Sequence, residues 1–337
     1  MSTKPRKPPI DPVRWQPPPV DPLPDLPAPD ITVVAMPGNG PEDVVVDATG
    51  QLWAGLEDGR IVRVPADGQP VVVANTGGRP LGMHVARDGR VLVCDSHRGL
   101  LALDPASGTL TTLLDSVDGR PLMFCSNVTE TADGTIYFTE STSRFHFEDY
   151  LAPIVEARGT GSLFRIARDG AVETLMRGLY FANGVTPTVD ESALVFAETV
   201  GRRLTKYWLT GPKAGTAEPL AVNLPGMPDN LSTGADGRIW CAFVNPANAA
   251  LERLFPKAPW IRKVVWRLPE RMQPKIEPEI WVAAFDADTG DAVAGVRTRR
   301  PDFGVVTGVV EAQGRVWMST INFPALAHVD LAATALR

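Results

Sequence analysis

Short apolar runs separated by tight-turn pairs, often Asp-Gly, recur from about residue 31 to the end of the chain. Each copy reads as an entry loop, an apolar run, a turn and a further apolar strand. The copies are GPEDVVVDATGQLWAGLEDGRIVRV (40–64), RPLGMHVARDGRVLVCDSHRGLLALD (79–104) and SNVTETADGTIYFTES (126–141) with GSLFRI (161–166). Three more follow: FANGVTPTVDESALVFAETVGRRLTKYWL (181–209), PDNLSTGADGRIWCAFV (228–244) with WVAAFD (281–286), and GVVTGVVEAQGRVWMSTINFPALAHVDL (304–331). Turn signals at this density also fit a sandwich, but a four-stranded unit every roughly 40–55 residues predicts an all-β, six-bladed β-propeller over residues 31–337. A ring needs closure, and ITVVAMP (31–37) is expected to lend the outer strand to the last blade.

Two segments break the pattern. Residues 1–30 are dense in proline, which excludes a helix interior or a central strand, and they read as an extended arm over the surface. In 251–275, Trp260, Ile261, Val264, Val265 and Leu268 recur at helical spacing, while Arg262, Lys263, Arg267 and Arg271 face the other way. This predicts a short amphipathic helix, docked on the propeller rim or serving as a lid or membrane-surface contact.

The chain has 337 residues, 44% hydrophobic and 21% charged, which suits a packed core, and a net charge of −6 offers no basic field for nucleic acid. No signal-peptide core or membrane-spanning run is present. Cys94, Cys125 and Cys241 are odd in number and form no CxxC pair, so they are expected to be buried thiols of a cytoplasmic protein.

A propeller gathers the beginnings of its blades at one end of the central channel. Standing there are Glu42 with Asp43, Asn127, Asn183, and Asp229 with Asn230. One Asn or Asp alone in a loop reads as an Asx turn. Recurrence in four repeats instead points to a metal site formed by Glu42, Asn127, Asn183 and Asp229. All are hard oxygen donors, which suit Ca²⁺ or another hard divalent cation rather than zinc. Two carboxylates about 4 Å apart repel by roughly 4 kcal/mol at an effective dielectric of 20, so either a cation or a raised pKa is required.

The segments GPEDVVVD, RPLG, DGTIYFTES, LYFANGV, FAETVGRRLTKYWLTGPKAG and NLPGMPDN closely resemble the strictosidine synthase-like proteins, above all the branch containing adipocyte plasma membrane-associated protein. The likeness covers about residues 40–245. That branch sits in a superfamily with paraoxonases, regucalcin and gluconolactonases, six-bladed propellers of which many are Ca²⁺-dependent lactonases or arylesterases. The resemblance implies the same four metal ligands and hydrolysis of a small-molecule lactone or aryl ester, with the cation polarising the carbonyl and Asp229 as general base. At the position of the paraoxonase catalytic histidine stands Leu81, with His84 three residues later as a candidate. At the position of the synthase catalytic glutamate stands Thr307, with Glu311 nearer the turn, which counts against the alternative of a synthase-like carbon–carbon condensation. A further alternative is a non-catalytic propeller with a structural cation. His146 lies in the insertion 142–159, TSRFHFEDYLAPIVEARG, which reads as a lid with Phe145, Phe147 and Tyr150 facing substrate and His146 available for proton transfer.

Overall fold

The computed structural model describes residues 7–65, 69–268 and 278–336. Six four-stranded antiparallel sheets form in chain order. Their innermost strands are Val45–Val46, Pro80–Val85, Cys125–Glu130, Ala182–Pro187, Gly226–Thr233 and Val306–Ala312. Each innermost strand touches the first strand of the blade on either side, and the sixth touches the first, so the ring is closed. The fold is a six-bladed β-propeller. In the first hairpins of the second, third and fifth blades an Asp accepts the backbone N–H two residues on, and a glycine with positive φ completes the turn, as at Asp133 with Thr135 and Gly134.

Closure uses the strand expected from the sequence. Thr32–Ala35 pairs antiparallel with Ala325–Asp330, placing Thr32 opposite His328 and Ala35 opposite Ala325. The core lies between blades. Trp53, Ile61, Met83, Val93 and Leu101, for example, pack the first blade on the second. All three cysteines are free and buried, and Cys94 and Cys125 meet between the second and third blades with sulfurs 3.0 Å apart.

The insertions form a roof at one end of the channel. From the third blade comes α1 (Leu151–Glu156), after a single 3₁₀ turn at Phe147–Asp149. From the fifth come α2 (Ala249–Glu252) and α3 (Pro259–Trp266). The predicted helix therefore exists, with Lys263 and Arg267 exposed and Ile261, Val265 and Leu268 partly buried as expected, but Trp260, Val264 and Arg262 face the opposite way from the expectation. Trp260 is 65% and Val264 55% exposed, whereas Arg262 is 0% and Trp266 6% exposed. Arg262 turns inward because acceptors wait there: its guanidinium donates to the carbonyls of Val155 and Glu156, each at 2.8 Å, and to that of Val13. Arg271 lies outside the described residues.

The Val13 carbonyl belongs to the proline-rich segment. Residues 7–30 contain no helix or strand and run across the roof and the blade edges. Lys7 Nζ donates to the Trp266 carbonyl at 3.1 Å, Trp266 Nε1 donates to the Pro8 carbonyl at 2.8 Å, and Trp15 N donates to the Phe255 carbonyl at 3.1 Å. Trp15 also stacks on Tyr180, with centroids 5.2 Å apart.

Candidate active site

The chemistry sits on a β-bulge repeated in the innermost strands. In blades two to six the register with the neighbouring strand slips between Pro80 and Met83, Cys125 and Val128, Ala182 and Val185, Pro228 and Leu231, and Val306 and Val309. A bulge sets two consecutive residues against one partner. Both bulge residues then face the channel region, and counting back from the hairpin turns aligns all six blades. The first bulge residue is Glu42, Leu81, Ser126, Asn183, Asp229 or Thr307; the second is Asp43, Gly82, Asn127, Gly184, Asn230 or Gly308.

This alignment refines the expected set. Glu42, Asn183 and Asp229 do occupy equivalent places, but Asn127 stands one residue further on, level with Asp43 and Asn230. Its blade offers Ser126 at the first position. Asn127, Asn183 and Asp229 also lie within strands rather than in entry loops.

The first bulge residues form the floor of a cavity of about 290 Å³, lined there by Glu42, Ser126, Asn183, Asp229 and Thr307. Beneath them the second residues knit together. Asn127 Nδ2 donates to Asn230 Oδ1 at 2.9 Å, and Asn230 Nδ2 donates to both Glu42 oxygens at 3.2 and 3.3 Å. Asp43 accepts from Met83 N, and Asn127 Oδ1 from Val185 N, each in the next blade. Thr307 Oγ1 and Ser319 Oγ donate to the Glu42 carbonyl at 2.6 and 2.8 Å, fixing the backbone that carries the glutamate.

Charge is concentrated here. Burial, and after it the Asp229 and Asp43 carboxylates, push the Glu42 carboxyl well above its ordinary range, against Arg79 and Asn230. Burial likewise raises Asp229, opposed by the neighbouring Asn183 amide, and takes Asp43 up to about 7. Asp229 Oδ1 is buried with no hydrogen-bond partner. An orphaned carboxylate oxygen in such a place fits a cation better than a proton donor. Among the described residues no three His, Cys, Asp or Glu side chains make a metal cluster by themselves. Beside the Glu42 and Asp229 carboxylates the further oxygens that could hold a cation are the amide oxygens of Asn127 and Asn183, which here accept from Val185 N at 3.3 Å and from Ser126 Oγ at 3.1 Å, and an all-oxygen set of this kind suits a hard cation.

The two candidate histidines stand apart from this floor. His84 is on the innermost strand opposite Leu92 and does not line the cavity; burial, with Arg87 beside it, takes its pKa down to about 4. His146 also lies off the cavity. Its Nδ1 contacts the Ser96 carbonyl at 2.7 Å and its ring lies 4.7 Å from that of His97, so it fastens the insertion to the second blade. Phe147 and Tyr150 line the cavity as expected, but Phe145 packs instead with Ile10, Ala152 and Trp266. Glu311 is remote too, its carboxylate accepting from Trp240 Nε1 at 2.9 Å.

Sequence reasoning missed the cavity wall. Phe124, Phe181 and Met227 each precede the first bulge residue by two places, and that fixed offset was a readable signal. Phe181 adopts φ 63°, a left-handed conformation disfavoured by about 1–2 kcal/mol for a side chain of this kind.

Residues 56–269 match the sequence profile described as the SMP-30/Gluconolactonase/LRE-like region, and residues 30–64 match that of strictosidine synthase-like proteins, N-terminal. The chain belongs to this propeller family. It is similar to Protein STRICTOSIDINE SYNTHASE-LIKE 13 of Arabidopsis thaliana, 32% identical over 266 residues, 69% of this chain and 65% of that protein. It is also similar to adipocyte plasma membrane-associated protein of Salmo salar, 30% identical over 321 residues, 87% of this chain and 76% of that one. The fold matches XC5397 from Xanthomonas campestris, a gluconolactonase, with a TM-score of 0.65 at 19% identity over 97% of this chain and 99% of the other. It matches the calcium-binding protein regucalcin from Agrobacterium tumefaciens with a TM-score of 0.61 at 17% identity, over 88% and 92%. No helix among the described residues is long and apolar enough to cross a membrane.

Proposed function

We propose that the protein is a metal-dependent hydrolase of lactones or aryl esters that uses Ca²⁺ or another hard divalent cation. The observation that carries this reading is the buried, unpartnered Oδ1 of Asp229 on the cavity floor, beside Glu42 and Asn183. Glu42, Asn127, Asn183 and Asp229 would hold the cation, which when bound supplies a Lewis acid for the ester carbonyl. Asp229 would take the proton of an attacking water. The apolar walls exclude other water and strengthen electrostatic interactions at the floor. His84 and His146 have no part in this scheme. The calcium binding of regucalcin and the lactone chemistry of gluconolactonases lend support as properties of related folds. A condensation reaction of synthase type is disfavoured by Thr307, which puts a hydroxyl bonded to the Glu42 backbone where that chemistry needs a carboxylate. Three free thiols favour a reducing compartment, which we propose is the cytoplasm.

The test is hydrolysis of phenyl acetate and a panel of lactones by the purified chain, before and after EDTA, with Ca²⁺, Mg²⁺ or Mn²⁺ added back. Activity lost to EDTA and restored by one cation, and absent in Asp229→Asn with its fold intact, is the expected result. A melting temperature that rises with Ca²⁺ while no substrate is hydrolysed would leave the cation structural and end the hydrolase reading.

A further inference from the structure

Cys94 and Cys125 are placed differently from Cys241. Cys94 stands near the end of Val91–Asp95, the second strand of the second blade, and Cys125 begins the innermost strand of the third, so their contact spans an interface between blades. The Cys125 thiol donates to Cys94 Sγ at 3.0 Å across 31 positions of sequence, and both residues are 0% exposed. A disulfide needs about 2.05 Å between its sulfurs, so roughly an ångström of closure converts the contact into a bond. Cys241 is equally buried, but its sulfur faces the Ala242 carbonyl at 3.3 Å. The pair also borders the cavity floor. Cys125 is followed by Ser126 on the floor and by Asn127, a candidate ligand, and Phe124 before it belongs to the wall. Burial first, then the Cys125 thiol and the Glu42 carboxylate, push the Cys94 thiol well above its ordinary range, which puts Glu42 within electrostatic reach of the sulfurs. Asn127 is held by donation to Asn230 at 2.9 Å and by acceptance from Val185 N at 3.3 Å. A binding constellation keeps its geometry only within about 0.5 Å. Half of the closing ångström, taken up by Cys125, reaches that limit.

We propose that Cys94 and Cys125 form a peroxide-oxidisable dithiol, and that their disulfide staples the second blade to the third and weakens cation binding at the floor. The second half of this rests on the cation reading above. One sulfur attacks a hydroperoxide oxygen and the O–O bond breaks. The leaving oxygen departs with the thiol proton as water or an alcohol, and a sulfenic acid remains. The second sulfur then displaces the sulfenyl hydroxyl, which departs with the second thiol proton as water. Two thiols lose two electrons and one hydroperoxide gains them. Only a small oxidant suits sulfurs with no exposed surface, and it enters when the blades part locally. The sulfenic acid forms with its resolving thiol already in contact.

The experiment treats the purified full chain with hydrogen peroxide and alkylates the remaining thiols in denaturant. Peptide mapping by mass spectrometry locates any bond, and calorimetry measures Ca²⁺ affinity of the reduced, oxidised and dithiothreitol-rescued protein. We expect one bond, Cys94 to Cys125, with Cys241 alkylated. Ca²⁺ affinity should be lower by about tenfold in the oxidised form, the effect of disturbing what orients a ligand, and restored by dithiothreitol. The cation-free melting temperature should rise by several degrees, because a cross-link over this stretch of chain constrains the unfolded state. Lower affinity with higher stability separates the staple from general oxidative damage, which lowers both. By reciprocity, saturating Ca²⁺ should raise the midpoint potential of the pair by about 30 mV, the tenfold change converted for two electrons. Cys94→Ala, or Cys94→Val where alanine prevents folding, should bind Ca²⁺ like the reduced parent and keep that affinity in peroxide. Thiols that all stay alkylatable, or a disulfide that leaves Ca²⁺ affinity unchanged, overturn the proposal. A disulfide formed in a chain that binds no Ca²⁺ in either state overturns the cation reading and leaves the staple in place.

Discussion

At the level of single residues, the decisive pattern is an alternation around the ring. The second bulge position reads Asp43, Gly82, Asn127, Gly184, Asn230, Gly308, so three polar side chains point to the axis with a glycine between each pair. The channel admits no more. A Cβ on Gly82 would lie 2.6 Å from the Cα of Asn127, one on Gly184 2.6 Å from that of Asn230, and one on Gly308 3.0 Å from that of Asp43. Each glycine thus makes room for the polar residue of the following blade. Gly184→Ala is the clearest probe, because its Cβ would also come within 2.3 Å of the Leu231 backbone nitrogen, which cannot swing aside as a side chain can. Overpacking of this kind costs about 1–3 kcal/mol. The expected outcome is a melting temperature several degrees lower and a weakened rise on adding Ca²⁺, read in thermal melts with and without the cation; a variant that melts and responds like the parent would refute the crowding. The polar members of the site were legible in the sequence because few residue types suit it. Their assignment to two levels was not, since a bulge shifts the facing by one residue and leaves no mark in hydrophobic periodicity.

At the level of elements, α3 shows where sequence periodicity misleads. Trp260, Ile261, Val264, Val265 and Leu268 make the apolar stripe, and Ile261, Val265 and Leu268 are partly buried, yet Trp260 and Val264 face solvent and the most deeply buried positions are Arg262 and Trp266. The stripe is a property of the helix alone, whereas burial is set by what the helix meets. Here it meets the carbonyl ends of α1 and of the arm, which only a long donor such as arginine can satisfy, together with the indole of Trp266 that donates to Pro8. No local signal connects residue 262 with residue 13. The consequence is that the arm is part of the roof. Arg262→Ala would leave the Val155 and Val13 carbonyls without the guanidinium, at about 1–3 kcal/mol for each one that stays dry, while the Glu156 carbonyl keeps the Val13 N–H at 3.2 Å. Removing residues 1–18 would take away Ile10, Trp15 and the hydrogen bonds from Lys7 and Val13. Both changes should raise KM for phenyl acetate by about tenfold or more with kcat altered less, since the floor is untouched, and should open the 251–268 segment to limited proteolysis. Unchanged KM and unchanged cleavage would make the arm a bystander.

At the level of the whole molecule, stability depends on ring closure, and this was the most legible feature of all. The repeat fixed the number of blades. A ring needs closure, and the apolar run at 31–37, ahead of the first copy, was the segment expected to lend the outer strand to the last blade. The structure completes the sixth blade with Thr32–Ala35. Ile31 joins the core between the fifth and sixth blades, and Met36 that between the sixth and first, so the N-terminal strand links both faces of the closing blade. Truncation therefore separates two roles carried by adjacent stretches of chain. Deleting residues 1–18 removes contacts to the roof but leaves the closing strand, and the ring should still melt in one cooperative transition. Deleting residues 1–36 removes that strand together with Ile31 and Met36 and bares Ala325–Asp330 as an unpaired edge, which invites edge-to-edge association. The longer deletion should yield aggregated protein or one without a cooperative melt, judged by size-exclusion chromatography and calorimetry. If it instead remained monomeric and melted like the shorter one, closure through the N-terminal strand would contribute little, and the stability of the propeller would have to reside in the packing between blades alone.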